Sequence, residues 1–381
     1  LTVNITGTIV VGNTITGVTS GATGKVTSVA GGLVAYTKGT GAFTTGETLN
    51  VAAVAQGTVT ELGGIGAGAD WDSLQRSLAA DVYRQDITAV PGSGPIRGVA
   101  RFNGSVYAWR NNIGGSALVI YKSSPAGWVV VPLGFEVAFT AGTVAYAEGS
   151  TLTQGGVTAT VRRVSVESGS WGSGTAAGRL IVASVSGGSF AAGAAAGTGA
   201  ATLSGAQTAI TLLPGGRVQT DVGNFGLGPR LYGCDGVNRG FEFDGTYYAP
   251  ISTGMAQDMP THVLTHKGHL FFAFGDDLMH SSIASLTNLY PQFNWTAAGG
   301  AAQYPMESPV ACLLRQPGDQ SSGAMSISLQ SSTKMLYGNS AADFRVVDFE
   351  ESAGAKAYSG QRLGGQALVF GDIGVFSIGA A

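Results

Sequence analysis

The stretch that decides the fold runs from Arg230 to Trp295: RLYGCDGVNRGFEFDGTYYAPISTGMAQDMPTHVLTHKGHLFFAFGDDLMHSSI over 230–283, closing with LTNLYPQFNW over 286–295. Short apolar and aromatic runs alternate in it with tight-turn signals. Asp235-Gly236 and Asp244-Gly245 are Asp-Gly pairs, whose residues tolerate the positive φ that hairpin turns require. Between them, Gly240-Phe241-Glu242-Phe243 alternates apolar and polar as a half-buried strand does. Tyr247-Tyr248 opens the next strand and Pro250 closes it. His262-Val263-Leu264, the Lys267-Gly268 turn and His269–Phe274 make a further hairpin. Strand and turn at this density predict the blades of a β-propeller.

The flanks extend the pattern. Downstream, Met325–Leu329, Lys334–Gly338, Phe344–Val347 and Ala367–Phe370 read as blade strands, so 213–381 is assigned to the remaining blades, with the last one cut short by the end of the sequence. Upstream, Val99–Phe102, the Asn103-Gly104 turn, Ser105–Arg110, Leu118–Lys122 and Trp128–Leu133 supply four strands, the content of a first blade at 99–135. Residues 63–98 differ. Gly63–Gly68 reads as a hinge. After Asp70, a capping residue, Trp71, Leu74, Leu78 and Val82 recur at helical spacing.

Residues 1–62 and 136–212 are related to each other. Ser150–Thr153 parallels Asn13–Thr16, Thr158–Val164 parallels Thr23–Val29, Arg179–Val182 parallels Gly32–Ala35, and Ser189–Gly193 parallels Ala42–Gly46. The expectation is two copies of one small β-module rich in Gly, Ala and Thr. The chain is thus read as all-β: a propeller-like domain with two β-modules inserted or appended. A pair of β-sandwiches remains the competing architecture at this point.

Composition narrows the function. Of 381 residues, 61 are Gly, 44% are apolar and only 11% are charged, against about 25% charged in an ordinary soluble domain. The scarcity of charge suggests surface covered by neighbouring subunits. The formal net charge of −3 argues against a nucleic-acid-binding face, which needs a basic stripe. Cys234 and Cys312 form no CxxC and no disulfide framework, which suits assembly in a reducing cytosol. No apolar run is long enough for a membrane span.

Chemistry-bearing residues are sparse. His262, His266, His269 and His280 lie close together beside Asp276 and Asp277, a candidate metal cluster. Along strands, however, His262 and His266 share a face and His269 is expected on the other, so ordinary blade histidines are the preferred reading. Asp81, Asp86, Glu136, Glu148 and Glu167 are scattered and give no carboxylate pair for glycosidase chemistry. There is no GxSxG elbow and no Walker A loop. No enzyme, cofactor or metal site is expected. On the modules, Tyr36, Tyr146 and Trp171 are candidate glycan contacts, with Phe43 and Phe190 as further aromatics that an adhesin would expose.

Leu231–Arg239, then Phe241–Thr246, Pro260–His262 and His269–Phe272, resemble structural proteins of tailed bacteriophages, and among them the β-propeller tail-nozzle family of short-tailed phages. The resemblance covers about 230–295. It implies a non-enzymatic virion protein of the tail, assembled in the bacterial host cytoplasm. Its partners would be copies of itself in a ring, six being the order considered, and neighbouring tail or neck proteins such as an adaptor. Genomic DNA would touch it only in transit through the exit channel. The alternatives are a tail-fibre or baseplate adhesin for host glycans, and a polysaccharide depolymerase.

Overall fold

The computed structural model describes residues 1–63, 69–283, 290–316 and 323–379. Residues 64–68 of the expected hinge, and the side chains of Asp70 and Trp71, lie outside the described set. The chain divides into two units, 1–89 and 90–381.

The first unit is built on a closed six-stranded barrel. Its strands are β1 (Thr2–Ile5), β2 (Thr14–Gly17), β3 (Thr23–Ala30), β4 (Leu33–Thr40), β5 (Thr48–Val51) and β6 (Val54–Glu61), ordered β1-β4-β3-β2-β5-β6. Inward positions are Val3, Ile15, Val26, Val34, Phe43, Leu49 and Val59. The Gly31-Gly32 pair between β3 and β4 has positive φ at both residues, as a two-residue hairpin demands. Helix α1 (Ala69–Arg84) packs on β3 and β4. Val82 is buried while Leu74 stays exposed, so only part of the expected apolar stripe is used.

The second unit opens with a four-stranded sheet: β7 (Ser93–Phe102), β8 (Ser105–Asn111), β9 (Leu118–Ser124) and β10 (Gly127–Val130). This first blade begins at Ser93, inside the segment assigned to hinge and helix. Next comes an inserted barrel: β11 (Phe135–Val144), β12 (Thr151–Gln154), β13 (Val157–Ser168), β14 (Ala176–Ser186), β15 (Gly193–Gly197) and β16 (Ala200–Leu203), with β17 (Thr208–Ala209) added at the edge. The order β14-β13-β12-β15-β16-β11 closes through a β11–β14 pairing. That circuit is the circuit of the first barrel, strand for strand. The irregularities match too. Register shifts at Thr23/Lys25 and Val26/Ser28 in the first barrel recur at Thr158/Thr160 and Val161/Arg163 in the second. The paired backbone bonds Gly12 N–Val26 O and Val26 N–Asn13 O recur as Gly149 N–Val161 O and Val161 N–Ser150 O.

Four more sheets follow. They are β18 (Gln219–Asn224), β19 (Pro229–Cys234), β20 (Phe241–Phe243) and β21 (Tyr248–Pro250); β22 (His262–His266), β23 (His269–Phe274), β24 (Asp277–His280) and β25 (Ala302–Pro305); β26 (Val310–Arg315), β27 (Met325–Leu329), β28 (Thr333–Tyr337) and β29 (Arg345–Glu350); and β30 (Gln361–Leu363), β31 (Gln366–Gly371) and β32 (Gly374–Ile378). Each is antiparallel in simple sequence order. The first strands of successive blades are neighbours, β18 against β22 and β22 against β26. Together with the first blade this is a five-bladed propeller arrangement, and the fold is all-β with two small barrels. Blade faces interlock through large side chains: Tyr107, Trp109, Tyr232, Phe241, Phe243, Phe272 and Trp295 belong to one core. Among the described residues, no core cluster spans the last blade and the first.

The turns confirm the sequence logic with one change. Asn103-Gly104 and Lys267-Gly268 have positive φ at both residues. At Asp235-Gly236 and Asp244-Gly245 only the glycine does. The aspartate instead accepts two backbone N–H groups downstream. Asp235 Oδ1 takes Val237 N and Asn238 N at 2.8 and 2.6 Å, and Asp244 Oδ1 takes Thr246 N and Tyr247 N at 2.8 and 2.7 Å.

Candidate functional site

The densest polar chemistry of the second unit lies where the inserted barrel meets the second blade. The bulge at Val161/Arg163 in β13 makes Arg162 the extra residue on its strand, and bulges re-aim side chains. Consecutive arginines consequently reach the same blade. Arg162 stacks its guanidinium 3.6 Å from the centre of the Tyr247 ring and donates to the Tyr247 hydroxyl. Arg163 donates from Nε to Glu242 Oε1, and its Nη1 lies 2.9 Å from Glu148 Oε2. The equivalent bulge of the first barrel carries Thr27 and Ser28, so the arginines belong to the inserted copy alone.

Glu242 is the hub. Phe241 and Phe243 on either side are core residues, and Glu242 itself is 1% exposed. Its Oε2 accepts from the Tyr232 hydroxyl at 2.8 Å and from Gln292 Nε2 at 2.7 Å. Burial works against the charge on Arg163, but Glu242 and Glu148 reverse the balance and raise its pKa above the ordinary arginine range. Burial, and then Glu242, push the Tyr232 hydroxyl far up, so it acts only as a donor. A second contact joins the barrel to the blade, Arg239 Nη2 lying 2.5 Å from Glu136 Oε2, while Arg179 Nε lies 2.8 Å from Glu167 Oε1 within the barrel itself. Two of the scattered carboxylates, Glu136 and Glu148, thus face arginines of the second blade, while Asp81 and Asp86 pair with Arg84 and Lys38 within the first unit.

Two clefts follow this junction. One of about 630 Å³ is lined by Glu167, Arg179, Arg239, Asp258, Phe293 and Trp295. Burial raises the pKa of Asp258, which accepts from Thr253 N at 2.8 Å and Thr253 Oγ1 at 2.7 Å. The other, of about 800 Å³, is lined by Tyr146, Trp171, Tyr290 and Phe293 among others. Each carboxylate facing the first cleft is already held by an arginine or a threonine. Chemically the arrangement is a joint that fixes the barrel on the propeller.

The aromatic candidates on the modules separate. Tyr146 is 3% exposed and is a core residue of the inserted barrel, as are Phe190 there and Phe43 in the first barrel, which corrects the expectation that these rings are displayed. Trp171 is half-buried, stacked on Phe139 at 5.1 Å. Tyr36 is 36% exposed and lies edge-on to Phe43. Asp235, Gly236, Asp244 and Gly245 are turn formers, and the Gly245 carbonyl also accepts from Tyr107 of the first blade at 3.0 Å.

The histidines require a correction. His266 pairs directly with His269 across the two-residue turn, and His280 pairs with Phe271. Directly opposed residues share a face, so all four histidines lie on one face of the third blade. They are buried against Phe344 of the fourth blade and Tyr358. His269 and His280 both donate from Nδ1 to the Ser281 carbonyl, at 2.7 and 2.8 Å. Among the described residues, no group of three or more His, Cys, Asp or Glu is placed to hold a metal, and no helix is long and apolar enough to cross a membrane.

No protein-family model matches the chain. No curated protein matches it either. Among solved structures, one match is BBS1N, determined in complex with ARL6DN. It covers 76% of this chain and 91% of its own at 11% identity and a TM-score of 0.28.

Proposed function

We propose that this chain is a non-enzymatic structural subunit of a bacteriophage tail, of the nozzle type, that packs with copies of itself into a ring around the DNA-exit channel. The observation that carries the assembly is the outer face of the last blade. Val369 and Ile378 of that blade pack on the fourth blade. The opposite face holds Leu363 and Phe370, 70% and 49% exposed, and Val375, 72% exposed, which is paired directly with Phe370. A propeller blade normally buries both faces, and an apolar stripe of this kind on a chain so poor in charge supports a subunit contact. The first blade likewise leaves Val99 and Val130 exposed. The phage assignment rests on the phrases at Leu231–Arg239, Phe241–Thr246 and His269–Phe272, which form the turns and inner strands of the second and third blades. In this reading the tail neighbours, such as an adaptor, bind the ring, and DNA passes through it without being held.

The test is the assembly state of the purified full-length protein, by light scattering after size exclusion and by electron microscopy. Closed rings are expected, with Phe370→Glu and Val375→Glu together giving smaller species of unchanged secondary structure. A monodisperse monomer at tens of micromolar, or a fibre-like trimer that binds host cell-wall sugar, overturns the proposal. The second outcome favours the adhesin reading, for which the exposed edges of Tyr36 and Trp171 are the starting point.

A further inference from the structure

The first strands of the second, third and fourth blades run side by side, and hydrogen bonds tie them together. Asp221 Oδ2 on β18 accepts from Thr265 N and Oγ1 of β22 at 2.6 and 2.8 Å. Arg315 of β26 donates from Nε to the Thr265 carbonyl at 2.6 Å and from Nη2 to Asp221. These strands flank the propeller axis, and its two ends differ. At their N-terminal ends, Tyr358 is sandwiched between His262, ring centres 4.7 Å apart, and the Arg217 guanidinium at 4.5 Å. The void left there is only about 50 Å³. At their C-terminal ends a pocket of about 380 Å³ opens, with Lys267, Arg315 and Arg362 in its wall.

The charge balance of this mouth is unusual for the molecule. Three cations line it and, among the described residues, no carboxylate does, in a chain whose net charge is −3. Only Arg315 has an acidic partner, Asp221, which stands behind the wall. Lys267 reaches a carbonyl and an amide, Gly338 O and Asn339 Oδ1, and Arg362 makes no hydrogen bond or ion pair among the described residues. The Lys267-Gly268 turn, with positive φ at both residues, fixes where the lysine emerges. The same wall includes buried His266 and Gln316, whose Nε2 and Oε1 atoms lack partners. Lys267 is half-buried and Arg362 exposed, and neither has an acidic partner among the described residues, so an anion entering the mouth meets positive charge that no carboxylate there neutralises.

We propose that this mouth of the propeller axis is a binding site for a small oxyanion-bearing ligand, a phosphate or carboxylate compound, held by Arg362, Lys267 and the free edge of Arg315. Guanidinium forks match both oxyanions in a bidentate way. The volume admits a small molecule rather than a polymer strand. The site is independent of the ring reading above.

The full-length protein is titrated at constant ionic strength with pyrophosphate, with citrate and with chloride, followed by calorimetry and by the thermal midpoint. Saturable one-site binding of pyrophosphate or citrate, but not chloride, is expected, together with a midpoint that climbs with ligand concentration. The tighter of the two identifies phosphate or carboxylate as the chemistry. Arg362→Ala is expected to weaken binding about tenfold, the loss of one charge-assisted hydrogen bond. Lys267→Asn, which keeps a residue suited to the turn, should do the same, while Arg101→Ala on the first blade should change nothing. No saturable binding of either anion, or equal affinity in Arg362→Ala, overturns the proposal. So does a short single-stranded oligonucleotide that binds far more tightly than pyrophosphate and is lost in the same variants.

Discussion

Arg163 and Glu242 form a buried ion pair between the inserted barrel and the second blade, at 3% and 1% exposure, across 79 residues of sequence. Removing one partner of such a pair leaves the other charge buried. Glu242→Ala is therefore expected to cost about 3–5 kcal/mol in urea unfolding. Replacing both members with apolar residues, Arg163→Met with Glu242→Leu, should cost clearly less. Equal losses in the single and double variants would mean that the pair does not couple the two parts.

The histidine face predicts an acid-sensitive third blade. Burial lowers the pKa of His262, His266 and His280 to about 4, and nearby Arg217, Lys267 and Arg315 add to the effect at the first two. His269 shifts the same way. A group whose folded pKa lies below its unfolded value of 6.5 takes up its proton preferentially in the unfolded chain as the pH falls. Stability should thus be level above about pH 7, fall between 6.5 and 4, and stop responding to these groups below that. Each can account for at most about 3 kcal/mol. Unfolding curves at pH 8, 6 and 5 check this, and a flat profile over that range rules it out.

Gly240 sits where a side chain cannot. A Cβ there would lie 2.3 Å from Cζ of Phe272, whose ring is stacked on Trp295 at 5.3 Å. Because the ring is locked in the core, Gly240→Ala should destabilise by about 1–3 kcal/mol through overpacking. Gly205→Ala, with open space around it, is the control, and similar midpoints for the two would refute the packing argument.

Both cysteines are free and buried. Burial, and then Asp235, push the Cys234 thiol well above its usual pKa, which suppresses the reactive thiolate. A maleimide reagent at neutral pH should leave Cys234 unmodified in the native protein and label it fully in urea. Rapid native labelling of Cys234, read by peptide mass, would show that the second blade opens locally.

The candidate junction was only half legible. The turn chemistry located 230–295 as blade text, yet Glu242 looked like an ordinary outward residue of an alternating strand. What buries it is Arg163, and the bulge that aims Arg163 had no signal of its own in the sequence. Glu136 and Glu148 were visible as carboxylates but not as anchors, because the second-blade arginines that face them, Arg239 and Arg230, reach them only on folding. Tyr146 failed as a surface candidate for a related reason. Position within a repeat says that a ring belongs to the module, while only closure of β11 on β14 and β16 decides that it points inward.

By itself the sequence determined what depends on the local backbone. Asn103-Gly104, Lys267-Gly268 and the two Asp-Gly pairs placed the hairpins, since few residues adopt positive φ or cap a turn with their own carboxylate. The parallel between 1–62 and 136–212 foretold two modules, and both fold with one strand circuit and matching bulges. Only the tertiary structure decided which faces meet. A two-residue turn folds His269 back opposite His266 and so reverses the expected side. The packing of successive blades turns four histidines into a buried face and gathers three cations at one end of the axis. Those outcomes depend on contacts between residues far apart in the chain, whose energies no local pattern encodes.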